Sequence, residues 1–139
     1  MAGVPCECGG AVGHVMRKIM CVVVSVMVWG YLGQAPASAS GTAEDGPVGI
    51  GVIGEGLKVR EVRALLDGWQ DGARARVSLW QGGSYVRTVR GWKATSARET
   101  RGHRFEQASW KINKSFPHRS QLCVELTGHD RMPCVTIKR

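Results

Sequence analysis

This chain has few of the local patterns that signal catalysis. Its glycine-rich stretch near residue 50 lacks the G-x-x-x-x-G-K pattern of a phosphate loop and has no Rossmann unit after it, which removes the common nucleotide-binding architectures. There is no G-x-S-x-G elbow. The later histidines, His103, His118 and His129, fall where turns and strand ends are expected. The acids near them, Glu106, Glu125 and Asp130, form no recognisable nucleophile–base–carboxylate relay. Glu106 and Glu125 lie on expected strands, the one placement open to paired-carboxylate glycoside cleavage, but carboxylates among abundant arginines more often form ion pairs. No His, Cys or Asp cluster stands at metal-ligand spacing, so neither metal nor cofactor is expected. Internal repeats and low-complexity tracts are also missing. No apolar run reaches the ~20 residues that a membrane-spanning helix requires.

The first recognisable feature is an export signal. Arg17-Lys18 precedes an apolar run of about fourteen residues, Ile19 to Leu32, and Ala37-Ser38-Ala39 supplies small residues at −3 and −1. Cleavage is expected before Ser40, giving a secreted product without a membrane span. The long stretch before Arg17 leaves Met1 and Met16 both open as the start. Cys6, Cys8 and Cys21 would depart with the leader, and Cys6-x-Cys8 has no partner ligands. Cys123 and Cys134 then remain as the single disulfide pair of an oxidising compartment.

The mature part of about 100 residues is one small domain, marginal in size without a covalent constraint. The formal charge of the whole chain is +8, and loss of Arg17, Lys18 and Glu7 leaves about +7. That balance favours anionic partners such as an acidic protein, a teichoic or nucleic acid, or an anionic membrane surface, or simply keeps an exported protein soluble.

The segment Pro47 to Gly54 alternates Val48, Ile50 and Val52 with Gly49 and Gly51. As an extended strand it has one apolar edge and one nearly bare one, so little packing of its own. Such a segment gains most by adding to a sheet or groove, its own or a partner's. From Leu57 to Trp69, helix and strand are both open: the spacing of Val59, Val62, Leu66 and Trp69 favours a short amphipathic helix, whereas in a strand Glu61 and Arg63 would interrupt the face of Leu57, Val59 and Leu65. Beyond Ala73 the pattern is β. Gly82-Gly83 suits a two-residue hairpin loop that places Leu79 opposite Val86 and Trp80 opposite Tyr85. Residues 94–102 read as a connection, Phe105 to Ile112 as a strand and Ser115 to Ser120 as a turn. In the last hairpin, Cys123 opposite Cys134 sets Leu122, Val124, Leu126, Val135 and Ile137 on the core face. Pro133 there demands a bulge or an edge strand. The expected fold is mainly β: a small antiparallel sandwich or barrel with one disulfide, one short helix and an extended N-terminal segment. The expected divisions are 1–39 as signal, 40–56 as extension and 57–139 as the domain.

Two candidate binding surfaces follow. The first is the extension, through Val48, Ile50, Val52 and Ile53. The second is the hairpin face carrying Trp80 and Tyr85 beside Arg74, Arg76 and Arg87. Trp, Tyr and Arg dominate binding energy because they bury large areas and still satisfy polar tips. Trp69, Trp92 and Trp110 are assigned to the core.

The exported precursor, the apolar Pro47–Gly54 extension and the compact β domain with Cys123 and Cys134 together resemble the small adaptor subunit of actinobacterial umbrella toxin particles. That resemblance implies a non-enzymatic adaptor joining other secreted proteins, with Val48, Ile50, Val52 and Ile53 as the inserting segment. On that basis, removal of Gly46 to Glu55 is expected to leave a folded monomer that no longer captures its partner. Alternatives are a binder of anionic envelope polymer or carbohydrate through Trp80 and Tyr85, a protease inhibitor presenting Ser115 to Ser120, and, last, a hydrolase. Nucleic acid is not the expected partner.

Overall fold

A computed structural model describes residues 39–139. Of the expected export leader only its last residue, Ala39, is described; Cys6, Cys8, Cys21 and both alternative start sites lie outside the described residues. The strands are β1 (Gly41–Asp45), β2 (Val48–Glu55), β3 (Lys58–Asp67), β4 (Arg74–Gln81), β5 (Ser84–Ala94), β6 (Ser96–Thr100), β7 (His103–Ser115), β8 (Gln121–Leu126) and β9 (Cys134–Thr136). They form two antiparallel sheets, ordered β1-β2-β3-β7-β6 and β5-β4-β8-β9. Among the described residues there is no helix, so none is long and apolar enough to cross a membrane.

The core lies between the sheets, filled by alternate residues of each strand. Val48, Ile50 and Val52 of β2 meet Val59, Val62, Ala64 and Leu66 of β3, Ala75, Val77 and Leu79 of β4, and Leu122, Val124 and Val135 from the last hairpin. All five residues expected on the core face of that hairpin are buried. Each fully buried aliphatic side chain contributes about 1.5–3 kcal/mol relative to exposure, so this layer supplies most of the driving force for folding.

The N-terminal segment is not an extension. β2 is an inner strand, paired with β1 from Gly41↔Val52 to Asp45↔Val48 and with β3 from Val48↔Leu66 to Glu55↔Lys58. Val48, Ile50 and Val52 are at most 2% exposed, and of the four expected docking residues only Ile53 faces outward. The expected boundary at residue 57 therefore divides a sheet. The physical reason is that the segment's apolar edge does seek a sheet, and the nearest one is its own, reached through a two-residue turn at Gly46-Pro47.

The expected helix over 57–69 is also a strand. A bulge between Val59 and Glu61 resets the alternation, so Val59 and Val62 both face inward although three residues apart. That spacing imitates the helical period. The expected connection over 94–102 contains β6, which pairs with His103 to Gln107 of β7.

In the last hairpin Cys123 and Cys134 are opposite one another, Leu122 opposite Val135, and the disulfide has formed. Pro133 stands just before β9, beyond Cys123↔Cys134 where the β8–β9 pairing ends, so its missing N–H takes no bond from that ladder. Its carbonyl still accepts the Val124 N–H at 3.1 Å.

Two outcomes are expected. Removal of Gly46 to Glu55 should abolish cooperative unfolding by circular dichroism, because it takes out the inner strand; a folded deletion variant would contradict this topology. Gly54→Ala should lower stability by about 1–3 kcal/mol in urea titration, since a Cβ there collides with the Lys58 carbonyl and the Val59 backbone. Gly49→Ala meets only ordinary contacts from 3.5 Å outward and serves as the control.

Candidate functional site, an aromatic groove on one sheet

The second sheet carries its polar and aromatic residues on the face away from the core. On β4 these are Arg76, Ser78 and Trp80, alternating with buried Ala75, Val77 and Leu79. Gly82 and Gly83, at φ of 60° and 80°, form the two-residue turn that brings β5 back. Trp80 is paired with Tyr85 as expected, their rings 5.9 Å apart and edge to face at 81°. The expected pairing of Leu79 with Val86 is displaced by a bulge, so Leu79 is opposite Arg87 and Val86 is exposed.

Two further bulges follow along the β4–β5 pair, and together the three advance β5 by three residues. Trp92 thereby comes to lie beside Arg76, whose guanidinium is 4.9 Å from the centre of its ring. Arg74 holds the same turn of chain by donating to the Trp92 carbonyl at 3.4 Å. Trp92 is 40% exposed and Tyr85 52%, so the core assignment of Trp92 does not hold. Trp69 is likewise exposed, with the Arg104 guanidinium 4.4 Å from its ring centre. Trp110 alone of the three packs inward.

A chain of polar contacts fixes the floor beneath these rings. The Trp80 indole N–H donates to Ser78 Oγ at 3.0 Å, and Ser78, fully buried, lies 3.4 Å from Glu125 Oε1. Glu125 Oε2 accepts from Arg76 Nε at 3.0 Å and also from its Nη2. Arg76 and Glu125 are cross-strand neighbours on β4 and β8, so the pair is built into the register. The hydrogen bond to Glu125, more than the charge attraction, raises the Arg76 pKa above its ordinary value, and the guanidinium stays charged at any working pH. With about a third of the Arg76 side chain exposed, the pair adds at most about 1 kcal/mol. Its larger effect is to hold Arg76 over the Trp92 ring.

The loop from Thr127 to Pro133 forms the far wall with His129, Asp130, Arg131 and Met132, and encloses a groove of about 670 Å³. Gln70 braces this loop, bonded to His129 Nε2 at 2.8 Å and donating to the Thr127 carbonyl at 3.2 Å. Arg131 pairs with Asp45 at 3.2 Å. Of the residues expected to bind, Trp80, Tyr85 and Arg76 share the groove, whereas exposed Arg87 is not among its walls. Trp92, Ser78 and the loop wall escaped sequence reasoning. Trp92 was hidden by the bulges, and the loop had no periodicity to place it.

A smaller hollow of about 430 Å³ lies on the opposite sheet, over Gly49 and between Leu65, His103 and Phe105. Its one ion pair, His103 with Asp67 at 3.2 Å, is largely exposed, and no buried polar group points into it. Gly49, Gly51 and Gly54 stand at the spacing of a dinucleotide fingerprint, yet all three lie inside β2 rather than at a strand-to-helix turn.

Ser78→Ala removes the acceptor of the Trp80 indole and a neighbour of Glu125. It should lower stability by about 1 kcal/mol in urea titration and shift tryptophan emission; an unchanged midpoint and spectrum would show that the floor does not hold the ring. No family model matches this chain, and neither a curated protein nor a solved structure matches it.

Proposed function

We propose that this protein is an exported, non-enzymatic binding module that uses the Trp80–Tyr85–Trp92 groove to dock a segment of another secreted protein, and so acts as an adaptor. The observation that carries the reading is the fixed floor, Trp80 to Ser78 to Glu125 to Arg76 to Trp92, which positions the rings before any partner arrives. Rings and arginines held this way lose little side-chain entropy on binding, which is the main cost that flexible surfaces incur. All three rings stand on strands, and the wall loop is tied to the body by Gln70. An antibacterial toxin complex is the assembly we put forward for it, on the resemblance alone. The insertion of an N-terminal strand is no longer part of the mechanism, because that strand is internal.

A second reading, carbohydrate binding, is favoured by one feature: the exposed Tyr85 and Trp92 rings line the same groove as Glu125 and Asp130, the mix that a sugar's apolar face and hydroxyls require. Binding of an anionic polymer in this groove has less support. Arg76 and Arg131 are both paired with acids, and Asp130 adds negative charge to the wall.

The test is native purification of the secreted protein, identification of what co-elutes by mass spectrometry, and recapture with a Tyr85→Ala/Trp92→Ala variant. Loss of at least ~30-fold in affinity is expected, as for residues worth about 2 kcal/mol, with an unchanged urea midpoint. Unaltered capture by the folded variant would reject the groove as the docking site.

A further inference from the structure

We propose that the open edge of β7 is a second binding site, which takes an extended acidic segment of a partner protein as an added strand. The pairing of β6 with β7 ends at Ser96↔Gln107, and no other strand of the described residues pairs with β7 on that side beyond Gln107. The edge is regular as far as Lys111, beyond which a bulge with Asn113 at a φ of 51° bends β7 before it ends at Ser115.

What covers this edge is side chain, not backbone. Lys93 Nζ donates to the Ser109 carbonyl at 2.7 Å and Arg90 Nη2 to the Lys111 carbonyl at 2.9 Å, both reaching across from β5. Since these carbonyls point to the open flank, the N–H groups of Ser109 and Lys111 point there too, as an antiparallel strand requires. The alternate residue, Trp110, turns its ring inward and forms the base of a cleft of about 400 Å³ between β5 and β7. Hydrogen bonds from long exposed side chains are weakly held, contributing about 0–1 kcal/mol each, so an entering strand can displace them.

Charge selects the occupant. Arg90, Lys93 and Lys111 line the cleft, and none forms an ion pair among the described residues. The one acid there, Glu61, is paired with Arg63 at 2.7 Å. A strand that takes the main-chain groups of Ser109 and Lys111 frees two cations from their carbonyls, and carboxylates on the incoming segment satisfy them. The other sheet edges do not offer this combination. β9 has three residues, while β6 carries Glu99 and β1 carries Glu44 and Asp45, which repel an acidic chain. β5, though long and basic, is broken by three bulges that spoil it as a template for a regular added strand.

The site is independent of the aromatic groove, and its test is separate. A fluorescein-labelled ten-residue peptide alternating Glu and Thr is titrated against the protein by anisotropy, beside the same peptide N-methylated at alternate residues. The unmodified peptide should bind saturably and slow amide exchange at Ser109 and Lys111. Arg90→Gln/Lys93→Gln should weaken it at least tenfold, Tyr85→Ala should leave it unchanged, and N-methylation should abolish it. Absence of saturable binding would overturn the proposal. So would equal binding of the N-methylated peptide, which would reduce the effect to charge attraction.

Discussion

The structure depends on the pairing of β2 between β1 and β3. That pairing uses both main-chain edges of the Val48–Glu55 segment and turns Val48, Ile50 and Val52 into the core. A strand half built of glycine packs poorly alone, but as an inner strand it is paired on both sides from Val48 to Val52, and the side chains of Val48, Ile50 and Val52 are buried. With the segment absorbed, any partner has to be recognised by side chains on the outer faces or by another edge. The groove on one sheet and the open edge of β7 are the two places where such recognition has physical support.

Much of the fold was legible wherever alternation was undisturbed. The final hairpin is the best case: matching Cys123 with Cys134 fixed the register, and the core face followed. Trp80 opposite Tyr85 was equally accessible, because two glycines set the turn and the first pair lies before any bulge. Bulges account for most of what was missed. One in β3 stretched a two-residue period to three and imitated a helix; three between β4 and β5 moved Trp92 from an expected core position onto Arg76. A bulge leaves little local signature, since what it changes is the phase relation between strands distant in sequence. The placement of β2 failed for another reason. Its preference for an added sheet was read correctly, but composition cannot say whether that sheet belongs to the same chain.

The groove joins local and global requirements. Alternation on β4 buries Ala75, Val77 and Leu79 and at the same time lifts Arg76, Ser78 and Trp80 to the outer face. The β4–β8 register then sets Glu125 beside Arg76, and the disulfide of β8 to β9 anchors the wall loop between them. Stability and recognition thus draw on the same two central strands. Changes that loosen the sheet should therefore blur the groove as well.

Amide hydrogen exchange on the isolated protein addresses the central claim most directly. If β2 is an inner strand, the amides of Ile50 and Val52 exchange only through global unfolding, with protection equal to that of Val77 and Val124 in the other sheet. Exchange at those two positions orders of magnitude faster than at Val77, in a folded protein, would mean that the segment is loosely held and would restore it as a docking element.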